Sequence, residues 1–142
     1  NVSPKNVGIS EISEISERMQ PANKLVLIID DEESIREGLQ CILELWQYQV
    51  IIAVDVIDAI RQLEAHAQQP DVIISDYRLK ESKTGVDAIK VLHEQYGAEI
   101  PTLLITGDMA QERLIDMKKS NFQVLVKPVP PMKLRSFLRS IE

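Results

Sequence analysis

From Lys24 onward the chain alternates between two patterns of apolar and polar positions. Five short runs, Leu25–Ile29, Val50–Val54, Val72–Ile74, Thr102–Ile105 and Gln123–Val126, are rich in Val and Ile and do not alternate with polar residues. Strands buried on both faces read this way. Between the runs the apolar positions adopt a helical period. Ile35, Leu39, Ile42 and Trp46 form one stripe, and Val86, Ile89, Leu92 and Tyr96 a second. Leu134, Phe137, Leu138 and Ile141 form the last. Thr84 with Asp87 resembles a capping box, with Asp in place of Glu or Gln. Gly97 and the Ile100-Pro101 pair mark that helix's exit. Strand and helix in alternation, with short connections, predict parallel strands, right-handed crossovers and helices on both faces of one sheet. The expectation is a doubly wound α/β domain over residues 24–142.

Residues 1–23 break this rhythm. They hold Pro4, Gly8 and Pro21 around the repeat Ile9-Ser10-Glu11-Ile12-Ser13-Glu14-Ile15-Ser16-Glu17. Ile9, Ile12, Ile15 and Met19 can share one helical face, but so thin a stripe makes a marginal isolated helix, and a linker is the favoured reading. The first residue is Asn rather than Met, which reads as a piece of something longer.

Composition narrows the function. The 142 residues are 44% hydrophobic and 27% charged, enough for one domain with a core. A net charge of −6 argues against a general nucleic-acid binder. Cys41 alone excludes an internal disulfide framework and suits a reducing compartment. No pure apolar run is longer than Leu25–Ile29, far short of the roughly 20 residues a membrane helix needs. With no charged start and apolar stretch to serve as a secretory signal, the expectation is a cytoplasmic domain without membrane contact. Charge is uneven: between Arg113 and Arg139 seven basic residues face one acid, Asp116. A solvated helix face is the simpler reading of that excess; a basic surface meeting an acidic partner is the other.

In a doubly wound sheet, ligands bind beyond the carboxyl ends of the strands. Those ends carry Asp30 and Asp31 after the first run, Asp76 after the third, Thr106 and Gly107 after the fourth, and Lys127 and Pro128 after the fifth. Each has an ordinary structural explanation taken singly: Asp31 as a helix cap, Thr106 as a strand-end hydroxyl, Lys127 as a solvated terminus. Gathered on one edge they carry chemistry. Crowded carboxylates raise one another's pKa unless a cation joins them, and Mg²⁺ is the hard ion that suits oxygen ligands and phosphate. A carboxylate can also act as a nucleophile towards phosphorus, with a lysine and a hydroxyl neutralising the transferred group. His66 and His93 lie in helical segments away from this edge and read as solvent-facing; Cys41 and Trp46 fit the first helix as core or flank residues.

Four stretches in order, Leu27-Ile28-Ile29-Asp30-Asp31-Glu32, Ile73-Ile74-Ser75-Asp76-Tyr77-Arg78-Leu79, Leu104-Ile105-Thr106-Gly107-Asp108 and Val126-Lys127-Pro128, resemble the receiver domain of two-component response regulators. The resemblance covers residues 24–142. It implies a five-stranded parallel sheet of order 2-1-3-4-5, the flavodoxin-like topology known for the chemotaxis receiver. It implies Asp76 as phosphoacceptor from a phosphohistidine on a histidine kinase or histidine phosphotransfer protein. Mg²⁺ would be held by Asp31, Asp76 and the carbonyl of Arg78, with Asp30 acting through water. Thr106 and Lys127 would bind the phosphoryl group, and Gly107 would leave room for it. Arg78 and Asp108 stand at positions that tune dephosphorylation in the family, and the Lys127-Pro128 bond is often cis there.

Two departures stand out. The family often carries an aromatic residue three positions before the lysine, whereas here it is Val124. The loop after Asp76 has no proline, and its glycine, Gly85, falls nine residues on rather than eight. The Asp76-Tyr77-Arg78-Leu79 version is similar to receivers at the carboxyl end of hybrid sensor histidine kinases. The expected function is therefore Mg²⁺-assisted phosphoryl acceptance with slow self-dephosphorylation, as the terminal receiver of such a kinase. Two alternatives are a freestanding regulator and a pseudo-receiver that signals by binding alone. A Mg²⁺-dependent phosphatase would want a second carboxylate as general acid near the nucleophile, which Tyr77 and Arg78 do not supply.

Overall fold

A computed structural model describes residues 24–77, 85–107 and 122–141. The proposed linker, Thr84 of the capping box, Arg78, Asp108, Arg113, Lys118 and Lys119 lie outside the described residues. In chain order the elements are β1 (Leu25–Ile29), α1 (Glu33–Leu45), β2 (Gln49–Ala53) and α2 (Val56–Ala65). There follow β3 (Val72–Asp76), α3 (Gly85–Tyr96), β4 (Thr102–Thr106), β5 (Gln123–Val126) and α4 (Pro131–Ser140). All four strand pairings are parallel, and the sheet order is β2-β1-β3-β4-β5. The reversal between β1 and β3 leaves a crevice at their carboxyl ends.

The strands lack alternation because the sheet is covered on both sides. Along β1, Leu25, Leu27 and Ile29 enter one core layer with Leu63, Ile89 and Leu92 of α2 and α3. Val26 and Ile28 enter the opposite layer with Leu39, Leu43, Leu134 and Leu138 of α1 and α4. Every residue of β1, β3 and β4 is buried. The edge strand β5 is more open, and Val124 there is half-buried against the first layer. Among the described residues no helix is long and apolar enough to cross a membrane.

Local signals behave as their chemistry requires. Asp55 caps α2 by accepting from the backbone N–H of Asp58 at 2.7 Å. Gly97 follows α3 with φ of +140°, which explains glycine at that stop. At the end of α1 the Arg135 guanidinium of α4 lies 4.7 Å from the centre of the Trp46 ring, joining the two helices of one layer.

Three expectations need correction. Asp31 is not a helix cap: the cap position of α1 belongs to Glu32, whose side chain makes no capping bond. His93 is half-buried rather than solvent-facing, with Nε2 3.1 Å from Thr102 Oγ1 and its ring edge-on to Phe122. The second strand begins at Gln49 and ends at Ala53, because Gln49 pairs with Leu25 although its side chain is exposed.

Candidate functional site

Four neighbouring strands, β1, β3, β4 and β5, deliver the acidic and basic groups to one edge. Asp30 continues β1, its backbone N–H donating to Ala53 at 3.0 Å. Asp76 ends β3, which is hydrogen-bonded to β1 on one side and β4 on the other. Both aspartates are buried at 5% exposure or less, an unusual place for carboxylates without a function. Thr106, also buried, ends β4, and its carbonyl accepts from the Lys127 backbone N–H at 2.7 Å. That bond brings the lysine alongside the crevice, after a strand that would otherwise end at Val126. The Lys127-Pro128 peptide is cis.

The turn out of β1 is held tightly. Asp30 Oδ1 accepts from the Glu32 backbone N–H at 2.9 Å, and the Arg36 guanidinium donates to the Asp30 carbonyl at 2.8 Å. Asp31 is half-buried and Glu32 exposed. Asp30, Asp31, Glu32 and Asp76 each offer an oxygen within 4.8 Å of the others. Lys127 Nζ stands among them, 2.9 Å from Glu32 Oε1, 3.3 Å from Asp30 Oδ2 and 3.5 Å from Asp76 Oδ2.

One ammonium cannot satisfy so many carboxylates. Burial pushes the Asp30 pKa above its ordinary value, outweighing the opposing pull of the Glu32 N–H and of Lys127. Burial also acts to lower the Lys127 pKa, but the hydrogen bond to Glu32 and the charges of Asp76 and Asp30 prevail and hold it raised. The pair therefore shares its attraction unequally: the lysine stays charged while Asp30 resists ionising. Although the ion-pair distance to Lys127 is short, the lysine directs its hydrogen bond at Glu32, and Asp30 Oδ2 has no hydrogen-bond partner. A buried, unpartnered carboxylate oxygen beside three further carboxylates is the donor set that a hard divalent cation fits.

The structure thus brings together Asp30, Asp31, Asp76 and Lys127 and sets Thr106 and Gly107 on the same edge. A Cβ added at Gly107 would meet Lys127 Cδ at 3.7 Å, an ordinary contact, so the lysine stem itself tolerates a small side chain there. Glu32 is the residue that strand-end reasoning overlooked. It sits in a row of acids, and nothing local marks it as the one that reaches a lysine on another strand. His66 is exposed, and His93 is tied to the opposite edge; neither takes part. Cys41 is an exposed free thiol on α1.

Residues 26–139 match the response regulator receiver domain family. The chain is 31% identical over 120 residues to the alkaline phosphatase synthesis transcriptional regulatory protein PhoP of Bacillus subtilis, covering 84% of this chain and 48% of PhoP. It is 31% identical over 119 residues to the probable transcriptional regulator ycf27 of Guillardia theta, covering 82% of this chain and 44% of that protein. The chain spans about half the length of the curated relatives it matches. Among solved structures, the Vibrio cholerae chemotaxis protein CheY4 superposes with a TM-score of 0.72 at 29% identity, covering 84% of this chain and 98% of CheY4. Neither of these two curated relatives is named as a hybrid sensor kinase, so that finer likeness rests on the Asp76–Leu79 stretch alone.

Proposed function

The chain belongs to the response regulator receiver family, a part of two-component signalling, and on that footing we propose that Asp76 accepts a phosphoryl group from phosphohistidine. The donor is a histidine kinase or a histidine phosphotransfer protein. The observation that carries this reading is the buried Asp76 carboxylate 3.5 Å from the Lys127 ammonium, beside Asp30 and Asp31.

In the transfer an Asp76 carboxylate oxygen attacks phosphorus. A P–O bond forms as the P–N bond to the imidazole breaks, and the bonding pair leaves with the ring, which takes up a proton from solvent or from its own protein. Asp76 becomes an acyl phosphate without itself gaining or losing a proton. Lys127 and the Thr106 hydroxyl receive the phosphoryl oxygens, and the backbones that carry the two side chains are joined at the end of the β4–β5 pairing. The acidic groups that would hold Mg²⁺ are Asp31 and Asp76, with Asp30 through water and the carbonyl of Arg78. The ion supplies charge neutralisation for the phosphoryl oxygens when bound. Hydrolysis, in which water attacks phosphorus and restores the Asp76 carboxylate, resets the domain; Arg78 and Asp108 are the residues proposed to set its pace.

For the parent protein, the Asp76-Tyr77-Arg78-Leu79 stretch supports the terminal receiver of a hybrid histidine kinase in the cytoplasm. The transcriptional regulators that it matches support a response regulator instead. The coding sequence on either side of residues 1 and 142 decides between them.

The test is intact mass after incubation with Mg²⁺ and a small acyl phosphate, and then with a phosphorylated histidine partner. One acid-stable, base-labile phosphate adduct is expected. It should be absent from Asp76→Asn and absent after chelation. A folded, Mg²⁺-binding protein that takes no phosphate from either donor would make this a binding module instead.

A further inference from the structure

Resting on the phosphoacceptor reading above, we propose that Glu32 is a positioning residue that holds the Lys127 ammonium before transfer and yields it when a phosphoryl group arrives on Asp76. Glu32 occupies the cap position of α1, where short Ser, Thr, Asp or Asn side chains serve best because they reach the free backbone N–H groups. Its backbone is extended there, at φ −92° and ψ 117°, yet its carboxylate caps nothing. It turns instead to Lys127, 95 residues away in sequence.

The three carboxylates around that ammonium are not equivalent. Glu32 holds it at 2.9 Å with a hydrogen bond, whereas Asp30 and Asp76 stand at 3.3 and 3.5 Å. The Glu32 side chain is 58% exposed, against 1% for Asp30 and 6% for Asp76. The aspartates are fixed at strand ends, and water cannot readily take their place. Glu32 lies on three rotatable bonds at the rim, where releasing an ion pair to solvent costs little. Lys127 is thus parked on the one counter-ion that can leave.

A phosphoryl group brings about two negative charges and three acceptor oxygens. It outcompetes a single rim carboxylate for the ammonium. Until then Glu32 competes for the Lys127 ammonium, which already stands 3.5 Å from Asp76 Oδ2, so the grip slows transfer from a weak donor and is lost once the group is in place.

The experiment is a time course of adduct formation by intact mass on the whole chain, with saturating Mg²⁺ and acetyl phosphate. Glu32→Gln should accelerate labelling by about threefold to tenfold, and Glu32→Ala should do the same. In a Lys127→Met background the Glu32 substitution should leave the rate unchanged within about twofold, because coupled residues do not act additively. Circular dichroism melts establish that each variant is folded. If Glu32→Gln labels no faster than the unsubstituted chain, the proposal falls and the phosphoacceptor reading stands. If it accelerates both backgrounds equally, Glu32 acts by repelling the anionic donor, and the positioning role falls. If the unsubstituted chain takes no phosphate from acetyl phosphate or from phosphohistidine, the phosphoacceptor reading falls and takes this proposal with it.

Discussion

The two edges of the sheet are built from the same residue types and treat their polar groups in opposite ways. At the amino edge the Leu25 backbone N–H donates to Asp71 Oδ2 at 2.8 Å, and the Asp71 N–H donates to the Leu25 carbonyl at 2.8 Å. Nearby, Lys24 Nζ reaches the Ile141 carbonyl at 3.4 Å, and the Thr102 hydroxyl donates to the Ile100 carbonyl at 3.0 Å while sitting beside His93. Asp71 and Lys24 there each meet a backbone partner. At the carboxyl edge four carboxylates crowd together, three of them within 3.5 Å of one lysine, and Asp30 Oδ2 is left without a hydrogen bond. One edge ties its polar groups to the backbone; the other gathers them around one lysine.

Three substitutions probe that contrast, in order of expected effect. Lys127→Met should reduce transfer to Asp76 by about 100-fold, the scale found when one charge-stabilising group is lost. It should also lower the melting temperature of the Mg²⁺-free protein, because the carboxylates lose their shared counter-ion, and Mg²⁺ should restore part of that loss. Rates by intact mass and melts with and without Mg²⁺ check both; a melting temperature indifferent to the substitution would mean that the ammonium is not balancing the cluster.

Asp30→Asn should move the Mg²⁺-free protein the other way. Removing a buried charge whose Oδ2 makes no hydrogen bond, while Lys127 keeps Glu32 and Asp76, is expected to raise stability by about 1–2 kcal/mol and to weaken Mg²⁺ binding. The sign follows from the raised Asp30 pKa. The folded state holds the Asp30 proton more tightly than the unfolded state does. Its ionisation therefore lowers stability as pH rises from the ordinary carboxylate range through the raised value. The same proton competes with Mg²⁺, so stabilisation by Mg²⁺ should fade on acidification at a higher pH than an ordinary aspartate would give. Melts from pH 4 to 8 should show this in the unsubstituted chain and show it diminished in Asp30→Asn.

Asp71→Ala is the control at the opposite edge. It should cost about 1 kcal/mol, the net worth of one hydrogen bond, with Mg²⁺ binding and transfer unchanged. A change in transfer there would dissolve the division between the edges.

The sequence made the sheet legible because a doubly covered strand must be apolar throughout, and β1 is recovered to the residue. The boundaries of β3 and β4 were missed at their ends, for a reason that matters. The apolar run stops at Ile74, while the backbone ladder carries on through Ser75 to Asp76. Strands extend into polar residues where a site needs them held still. Asp30, Asp76 and Lys127 could be picked out because strand ends are where such a sheet binds ligands. Glu32 could not, since its contact depends on a lysine that follows β5 and is brought near by β1, β3, β4 and β5 lying side by side. His93 was misread for a similar reason: the helical stripe gave its spacing but not the Thr102 hydroxyl and Phe122 ring that enclose it.

The pairing of Arg135 with Trp46 bears on how this molecule can be watched. Trp46 is the only tryptophan in the chain, so ultraviolet emission excited at the indole band comes from that one ring. It lies beyond the last turn of α1, a helix of 13 residues and so about 20 Å long, with the acidic turn at its other end. A guanidinium resting on the indole face ties its colour and brightness to the closeness of α1 and α4. The natural fluorophore is thus a gauge of whether the two helices stay together, placed far from the chemistry, and events at Asp76 call for a second, introduced dye.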